Sequence, residues 1–332
     1  MNNRPETLVE FTGQTSLVEN LKMFIQAAKG RAEALDHVLF HGPPGLGKTT
    51  LAQLISAEMG GRLVRTSAPI LETPAALMSI VSGLEKGDVL FIDEIHRLPM
   101  QVEEILYTAM EDFRMDVLVG EGLDAKPVSI DLDRFTLVGA TTRAGGLSKP
   151  LFDRFQITMR LEFYSVDDLV PIVKRAADKA GLYLDDAALV ALASKCRGTP
   201  RTANRLMMRV RDFAAAFPRL SPEDLVKTAL GRLGIVDLGL DAADVRYLEV
   251  LNQTGRPVGV ATLAAALSET KESLEDVTEP FLLRMGLISR TSRGREITEK
   301  GVEFLSKCRP DQEDTHPVRF PDPRLSRDPV IA

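Results

Sequence analysis

The sequence predicts an α/β fold with a parallel sheet, followed by a small helical domain and a winged-helix domain. Five strand-like runs alternate with helical stretches over the first half of the chain, which is typical of a parallel sheet with helices on both faces. From Tyr164 the pattern becomes helical only. Beyond Asp241, short helices precede LISRTSRGREIT, which indicates two strands around a turn and therefore a winged helix.

Composition limits the classes of protein that remain. The chain has 332 residues, of which 44% are hydrophobic, and a net charge of -6, so it is long enough for two or three domains. We find no apolar run near the length of a membrane span and no apolar signal region at the N-terminus, so we expect a cytoplasmic protein. Cys196 and Cys308 lie far apart, which argues against a zinc site. The acidic balance argues against nonspecific binding of polyanions by the whole surface, although a local basic patch is compatible with it.

The first domain is predicted over residues 1–164. Its strands are HVLFHG, RLVRTSA, DVLFID, FTLVGATT and ITMRLEFY. The segment MDVLVGEGLDAKPVSIDL breaks this pattern, because apolar and polar residues alternate around a Gly-rich centre. It therefore predicts a projecting hairpin near 115–132.

The remaining boundaries follow from local signals. A capping box, with Ser165 as the cap and Asp168 at the third helical position, begins a small helical domain over 165–235. The winged-helix domain is predicted over 240–310. Residues 311–332 are rich in Pro, Asp and Arg without an apolar period, so we expect a disordered tail.

The stretch HGPPGLGKTT carries the strongest chemical signal. It fits Gly-x-x-x-x-Gly-Lys-Thr, with Gly42, Gly47, Lys48 and Thr49, between a strand-like and a helical run. Bare glycines let main-chain N–H groups wrap a phosphate chain at a helix N-terminus. A lysine in the first helical turn opposes the helix dipole, so its position makes sense with a polyanion bound. The pattern indicates a P-loop, in which Thr49 offers a hydroxyl to Mg²⁺.

Two further strand ends carry polar groups. DVLFIDEIHRL ends an apolar run in Asp93 and Glu94. One carboxylate, on a strand that we expect beside the P-loop strand, can hold the magnesium hydration shell, while the second orients or deprotonates water. Thr141 and Thr142 end the next strand and place a hydroxyl at the same edge, although threonine is also common in plain turns.

Two arginines each allow two interpretations. Arg154, in LSKPLFDRFQI, is either a surface ion-pair partner of Asp153 or an arginine finger from a neighbouring subunit. In GTPRTANRL, Thr199 caps a helix and Arg201 lies in its first turn. A cation there suggests a phosphate partner, but an ordinary surface arginine fits equally well.

Charge in the third domain favours the wing over the expected recognition helix as a surface that contacts phosphates. The expected recognition helix KESLEDVTEPFLLRMG carries four acids that phosphates would repel: Glu272, Glu275, Asp276 and Glu279. The hairpin instead carries Arg290, Arg293 and Arg295. Such a wing would contact the backbone without reading sequence; the alternative is a solvated basic turn.

Taken in order, GPPGLGKT, LFIDEIH, the Thr-containing strand, DRF and GTPR resemble the AAA+ ATPases. The longer phrases RPETLVEFTGQ, HGPPGLGKTTLA, VLFIDEIHRL, YTAMEDF, GATTRAG, RLEFY, GTPRTANRLMMRVRDFA and RTSRGR resemble the RuvB family of bacterial Holliday-junction branch-migration motors. The resemblance covers about Arg4 to Arg309.

This resemblance implies an ATP- and Mg²⁺-dependent homohexamer that pulls duplex DNA to migrate Holliday junctions in recombination and repair, with RuvA and a RuvC-type resolvase as partners. It places Arg4 and Tyr164 near the nucleotide's base, with the phosphates and magnesium held by Gly42, Gly45, Gly47, Lys48, Thr49 and Thr50. It makes Asp93 and Glu94 the Walker B pair, with Asp93 and Thr49 at the metal. Its other assignments are Thr141 as sensor 1, Arg201 as sensor 2, Arg154 as the finger, and Glu111, Asp112 and Phe113 as a stretch near nucleotide.

In the same resemblance the hairpin docks RuvA, and we expect Val128 and Ile130 to form the apolar contact, because residues two apart share one face of a strand. Within the class, a helicase loader or replication initiator is an alternative, since it can also combine these domains. From another class, the chain could be an adaptor that binds ATP without turnover. We find no aromatic-apolar-Gly pore loop of the kind expected for a protein unfoldase.

Overall fold

The computed structural model describes residues 4–119 and 126–308, and of residues 117–119 and 126–127 the backbone alone. Two compact units meet at Gly239 and Leu240. The first therefore holds both the predicted sheet domain and the predicted small helical domain. Within the described ranges, no helix is long and apolar enough to cross a bilayer. The tail predicted over 311–332 lies outside the described residues.

The first unit is built on a five-stranded parallel sheet that matches the five predicted strands. The strands are β1 Val38–His41, β2 Leu63–Ser67, β3 Val89–Asp93, β6 Thr136–Thr141 and β7 Ile157–Arg160. Their order in the sheet is β2-β3-β6-β1-β7. The expectation that the acidic strand lies beside the P-loop strand is wrong: β6 lies between β3 and β1 and hydrogen-bonds to both. The strand carrying Thr141 is thus the neighbour of both motifs.

Each face of the sheet has its own core, because side chains alternate along a strand. Val38 and Phe40 belong to one buried cluster, and Leu39 belongs to the other. The first cluster includes residues of α1 Thr15–Gly30 and α2 Lys48–Met59. The second includes residues of α3 Pro74–Val81 and α4 Met100–Glu111. Helices therefore cover both faces, as the alternating pattern predicts.

The predicted hairpin is formed by β4 Arg114–Val119 and β5 Lys126–Asp131. These strands pair with each other and not with the main sheet. A bond from Leu132 N to Phe113 O closes the base of the hairpin at 2.8 Å. Residues 120–125, between the two strands, lie outside the described part.

The helical region begins where the capping box predicts. Ser165 and Asp168 form both reciprocal bonds at the start of α6 Val166–Lys179. The short helix α5 Lys149–Phe152 precedes it, and α7 Asp186–Ser194, α8 Pro200–Ala216 and α9 Pro222–Arg232 follow. Buried residues of α6 to α9 join the same cluster as Val38 and Phe40. A shared core explains why 164/165 does not divide compact units, and the separate domain stays a prediction.

The second unit has the element order expected of a winged helix. Its helices are α10 Ala242–Thr254, α11 Val260–Leu267, α12 Lys271–Ser273, α13 Glu279–Arg284 and α14 Glu299–Cys308, with a π-helical turn, Leu274–Thr278, joining α12 to α13. The strands β8 Ile288–Thr291 and β9 Gly294–Ile297 form the predicted antiparallel wing. Val258 adds a bridge to Arg295.

One prediction for this unit is wrong. Glu279 is not part of an exposed acidic face, because its side chain is fully buried. Its carboxylate accepts hydrogen bonds from Tyr247, Arg290 and Arg295. A buried carboxylate is tolerated when such donors compensate it. Burial by itself would raise the pKa of Glu279, but the hydrogen bonds from Arg295, Arg290 and Tyr247 and the positive charge of Arg290 hold it below its usual range.

Candidate nucleotide-binding and DNA-motor sites

The loop between β1 and α2 forms a bare cradle at a helix N-terminus. Gly42, Gly45 and Gly47 have φ angles of 139°, 82° and 110°, which favour glycine. A Cβ on Gly45 would lie 2.8 Å from Cβ of Arg201, and one on Gly42 would lie 2.5 Å from O of Leu161. Both the backbone conformation and the close approach therefore require glycine here.

Lys48 places a buried cation across this loop. Its Nζ donates to the carbonyl oxygens of Gly42 at 2.6 Å and Pro43 at 2.9 Å, and the residue is 8% exposed. Burial lowers the pKa of Lys48 to about 8, with Arg201 acting in the same direction and the carboxylates of Glu94 and Asp93 opposing it. A buried ammonium at a helix N-terminus is unfavourable unless an anion compensates it. The loop therefore fits the phosphates of a nucleotide.

Asp93 and Glu94 lie where β3 ends. Glu94 has a φ angle of 50°, and its backbone N donates to Oδ1 of Asp93 at 3.0 Å. Their carboxylates and Thr49, in the first turn of α2, supply the hard oxygen ligands that Mg²⁺ prefers. The donor set therefore fits a magnesium ion with a nucleotide.

The two threonines at the end of β6 have different surroundings. The Thr141 side chain is fully buried; its Oγ1 accepts from Arg143 N at 2.9 Å and lies 3.0 Å from Nδ1 of His96. Thr142 Oγ1 instead donates to Oε2 of Glu94 at 3.1 Å. The sequence pattern indicates no separate role for Thr142. The sensor role of Thr141 stays a prediction, while the hydroxyl that contacts the carboxylate is that of Thr142.

One pocket brings together the residues expected near the base. Arg4, Gly47, Thr50 and Tyr164 line it. Tyr164 is 4% exposed and donates from its hydroxyl to O of Leu46 at 2.9 Å, so that it also supports the cradle. Burial raises the pKa of this phenol. Further lining residues include Phe11, Pro200 and Asn204. No sequence signal marks them as neighbours of the base, although Pro200 and Asn204 lie in GTPRTANRL.

The start of α8 lies directly against the cradle. Thr199 caps this helix, as predicted, by accepting from Thr202 N. Arg201 N donates to O of Gly45 at 3.2 Å. Arg201 is thus held against the P-loop through its backbone, and its side chain is exposed; its contact with phosphate stays a prediction.

Arg154 contacts Glu111, the first residue of the stretch 111–113, although the two lie far apart in sequence. Arg154 pairs with Glu111, from Nη2 to Oε2 at 2.9 Å, and not with Asp153. Asp112 caps the C-terminus of α4. The Phe113 ring packs between other groups, with centroids 5.9 Å from His37 and 5.8 Å from Phe135. Contact of these three residues with nucleotide stays a prediction.

Comparison with known proteins identifies the family. The RuvB P-loop domain family matches residues 3–161, the RuvB AAA lid domain matches 164–235, and the RuvB C-terminal winged-helix domain matches 237–306. The chain belongs to the RuvB family.

Relatives and solved structures agree with this assignment. RuvB subunits of the Holliday junction branch migration complex from Granulibacter bethesdensis and Campylobacter hominis are 53% and 51% identical; the alignments cover 92% and 91% of the chain and 86% and 89% of those proteins. The solved RuvB branch migration motor of Thermotoga maritima is 44% identical with a TM-score of 0.82, covering 92% of this chain and 98% of that one. A mutant of that RuvB gives 0.84 at 45% identity, with the same coverage.

The wing of this RuvB chain presents its three arginines unequally. Arg295 pairs with Glu275 and with Glu279, and Arg290 pairs with Glu279. Arg293 is exposed at the turn between β8 and β9. DNA binding by Arg290, Arg293 and Arg295 stays a prediction, and the ion pairs rank the three arginines for it. Arg293 is the one best placed for a phosphate, while Arg290 and Arg295 contact the buried carboxylate.

The hairpin of this RuvB chain exposes the two predicted apolar residues. Val128 is 44% exposed and Ile130 is 39% exposed. They lie two residues apart on β5, opposite Val117 and Met115. On the intervening position, Ser129 bonds to Asp116. Successive side chains of β5 thus alternate between an apolar face, with Val128 and Ile130, and a polar face, with Ser129.

Proposed function

We propose that this chain is the ATP-hydrolysing motor of Holliday-junction branch migration, acting as a cytoplasmic homohexamer on duplex DNA during recombination and repair. The observation that carries the proposal is the pair Asp93 and Glu94 at the end of β3, with the Glu94 carboxylate held by Thr142. An adaptor that binds ATP without turnover has no need of a positioned second carboxylate. Family membership supports the same conclusion.

The loop between β1 and α2, together with the pocket that Arg4 and Tyr164 line, binds the nucleotide. Main-chain N–H groups of the loop and the ammonium of Lys48 bind phosphate oxygens. Arg4 and Tyr164, which line one pocket, contact the base. Thr49 and Asp93 hold magnesium, which supplies positive charge to the phosphate oxygens when bound.

Hydrolysis needs a water molecule with its lone pair directed at the terminal phosphate. Glu94 orients this water and accepts its proton, and Thr142 sets the direction of the Glu94 carboxylate through its hydroxyl. Arg201, anchored at Gly45, adds charge from α8. Arg154 of one subunit serves the site of the next subunit, and in related enzymes such a finger contributes about 10³ to 10⁵ in rate.

Two surfaces convert hydrolysis into work on a junction. The hairpin docks RuvA through Val128 and Ile130, whose exposure supports this assignment. The wing contacts the DNA backbone through Arg293, so that every sequence can pass. A RuvC-type resolvase acts on the same junction as a further partner.

Phosphate release, measured with and without a four-way junction and RuvA, tests the proposal. We expect hydrolysis by the chain alone and branch migration when the junction and RuvA are both present. Glu94→Gln should bind ATP but lose hydrolysis, because the cradle is intact and only water activation is removed. Lys48→Ala should lose binding itself. Near wild-type hydrolysis by both variants would show that the site is assigned wrongly.

A further inference from the structure

Three residues of α4 share one face of the helix. Glu103, Tyr107 and Glu111 are spaced by four residues, which places them one above another. We call these three residues the α4 cradle. All of them contact Arg154 or the segment that leads to it.

Within the α4 cradle, Tyr107 and Glu111 contact the guanidinium of Arg154 on two sides. Its Cζ lies 4.7 Å from the centroid of the Tyr107 ring, within the range of a cation–π contact. Nη2 donates to Oε2 of Glu111 at 2.9 Å. Nη1 donates to the carbonyl oxygen of Pro150 at 2.9 Å. The face and both terminal nitrogens of the guanidinium are thus in contact with α4 or α5.

Glu103, the first residue of the α4 cradle, links α4 to the start of α5 through Ser148. Glu103 is 5% exposed, and its Oε2 accepts from Tyr107 Oη at 2.8 Å and from Ser148 Oγ at 2.5 Å. Ser148 also caps α5 by accepting from Leu151 N. A buried carboxylate is costly unless donors compensate it. The position of the helix before Arg154 is therefore coupled to α4.

Stability alone does not explain the contacts of Arg154 with Tyr107 and Glu111. The side chains of Glu111 and Arg154 are 63% and 29% exposed, and ion pairs of such exposure contribute little to stability. Nε of Arg154 is buried without a hydrogen-bond partner among the residues that the structure describes. Leaving a buried donor unpaired is unfavourable. The pose is therefore imposed by the α4 cradle and not by the preference of the arginine itself.

We propose that Tyr107 and Glu111 are positioning residues, which hold Arg154 in the pose that serves the nucleotide of the adjacent subunit, with Glu103 as their buried anchor. This proposal rests on the proposed function, in which Arg154 is a finger. It also gives Glu111 a role through Arg154, in place of a direct contact with nucleotide. Because α4 follows the turn after Asp93 and Glu94, the same helix joins the hydrolytic site of one subunit to the finger it presents to the next.

Kinetics of Glu111→Ala test the positioning role. We expect kcat to fall about ten- to a hundredfold with little change in KM for ATP, since a small misplacement of a catalytic group costs this much. In the Arg154→Ala background the same change should have no further effect, because a residue acting through another is not additive with it. A further loss in the double variant would mean direct contact with nucleotide and overturn the proposal. Glu104→Ala, which removes an exposed carboxylate of the same helix outside the α4 cradle, is the matched control.

A second measurement needs no nucleotide. Phenylglyoxal modifies accessible arginines, and mass spectrometry reports the rate at Arg154 alone. We expect faster labelling of Arg154 in Glu111→Ala and Tyr107→Leu. Tyr107→Phe keeps the ring face but loses the hydroxyl that donates to Glu103, so its labelling should rise less than that of Tyr107→Leu. Glu104→Ala should label at the wild-type rate. Wild-type labelling rates in both Glu111→Ala and Tyr107→Leu would show that the α4 cradle does not hold the arginine.

Mixed hexamers separate this proposal from the proposed function. Arg154→Ala subunits mixed with Lys48→Ala subunits should regain hydrolysis, because an intact P-loop then meets an intact finger; no recovery in hexamers shown to be mixed would refute the finger itself. Given that recovery, Glu111→Ala should also regain hydrolysis with Lys48→Ala but not with Arg154→Ala. Recovery with Arg154→Ala would place Glu111 in the nucleotide site of its own subunit and overturn the positioning role.

Discussion

The hydroxyl of Thr142 donates a 3.1 Å hydrogen bond to Oε2 of Glu94. These residues directly follow the neighbouring strands β6 and β3, which brings together side chains 48 positions apart. His96 also approaches the same oxygen, with Nδ1 at 3.3 Å. Thr142 and His96 thus set the direction of the Glu94 carboxylate.

Thr142→Val should therefore lower kcat about tenfold or more with ATP affinity retained. A hydrogen bond to a charged group is worth about 1.5–3 kcal/mol, and its loss lets Glu94 turn away from the water. Steady-state hydrolysis together with equilibrium nucleotide binding measures this. Thr136→Val is the matched control: it removes a buried hydroxyl at the other end of β6 that donates to Leu35 O, so its main effect should be on stability. A fully active Thr142→Val would contradict the role given to this residue.

Arg293→Ala should weaken binding of unrelated duplexes by a similar factor, because a phosphate contact carries no base information. The slope of log affinity against log salt should become shallower by about 0.9, since the substitution removes one cation from the DNA backbone. Binding at several salt concentrations on two duplexes measures both quantities. An unchanged slope would mean that the turn is merely solvated, and weaker binding of one sequence alone would mean base readout.

Arg295→Ala provides the contrast within the same wing. Arg295 is 13% exposed at its side chain and bonds to Glu279 and Glu275. Removing it leaves the buried Glu279 carboxylate with fewer donors, which should destabilise the winged unit by about 1–3 kcal/mol. Chemical denaturation of the two variants separates them: Arg293→Ala should keep wild-type stability. Equal destabilisation would contradict the division between a DNA-binding and a structural arginine.

Val128→Asp combined with Ile130→Asp should abolish branch migration with RuvA and leave the ATPase activity of the chain alone largely intact. A carboxylate buried unpaired against an apolar partner surface is costly, and the hairpin strands do not join the main sheet. Comigration with RuvA on a sizing column measures the association. Ser129→Ala, on the opposite face of the same strand, is the control. Comigration of the double variant would refute the docking assignment.

His37 should make the first unit lose stability in mild acid. Its Nδ1 accepts from Leu137 N at 2.9 Å and its Nε2 donates to Met110 O at 3.0 Å, so the ring is held neutral. Burial lowers the pKa of His37 from its ordinary value of 6.5, although the Met110 carbonyl and Asp36 act in the opposite direction. Above pH 6.5 both states are neutral and the contribution is complete. As the pH falls below 6.5, the unfolded state takes up a proton that the folded state refuses, so stability is lost.

Denaturation of wild type and His37→Gln at about pH 7.5 and about pH 5.5 measures this contribution. The difference in the free energy of unfolding between them should shrink by about 1 kcal/mol at the lower pH. Wild type and His37→Gln share the same carboxylates and the same His41, whose pKa is also lowered by burial. The contributions of these groups to the pH dependence therefore cancel in the difference. A difference that does not change with pH would show that His37 titrates alike in both states.

Motifs written in consecutive residues could be predicted from the sequence because their geometry is local. The P-loop, the pair Asp93 and Glu94 and the capping box at Ser165 each depend on a strand end or a helix start within a few residues. Hydrogen bonding at a helix N-terminus requires the same residue types wherever the helix lies in the fold. The five strands and the wing followed from apolar spacing for the same reason.

Choices between adjacent or distant residues needed the tertiary structure. Thr141 and Thr142 differ by one position, but Thr141 is the last residue of β6 and Thr142 lies in the bend that follows; only the packing of β6 beside β3 showed that Thr142 contacts Glu94. Likewise, Glu111 lies 43 residues before Arg154, and Glu279 lies 16 residues before Arg295. No local spacing encodes such pairs, because they depend on which helices and strands pack together, and burial then decides whether a charge remains available to a partner or is neutralised inside the fold.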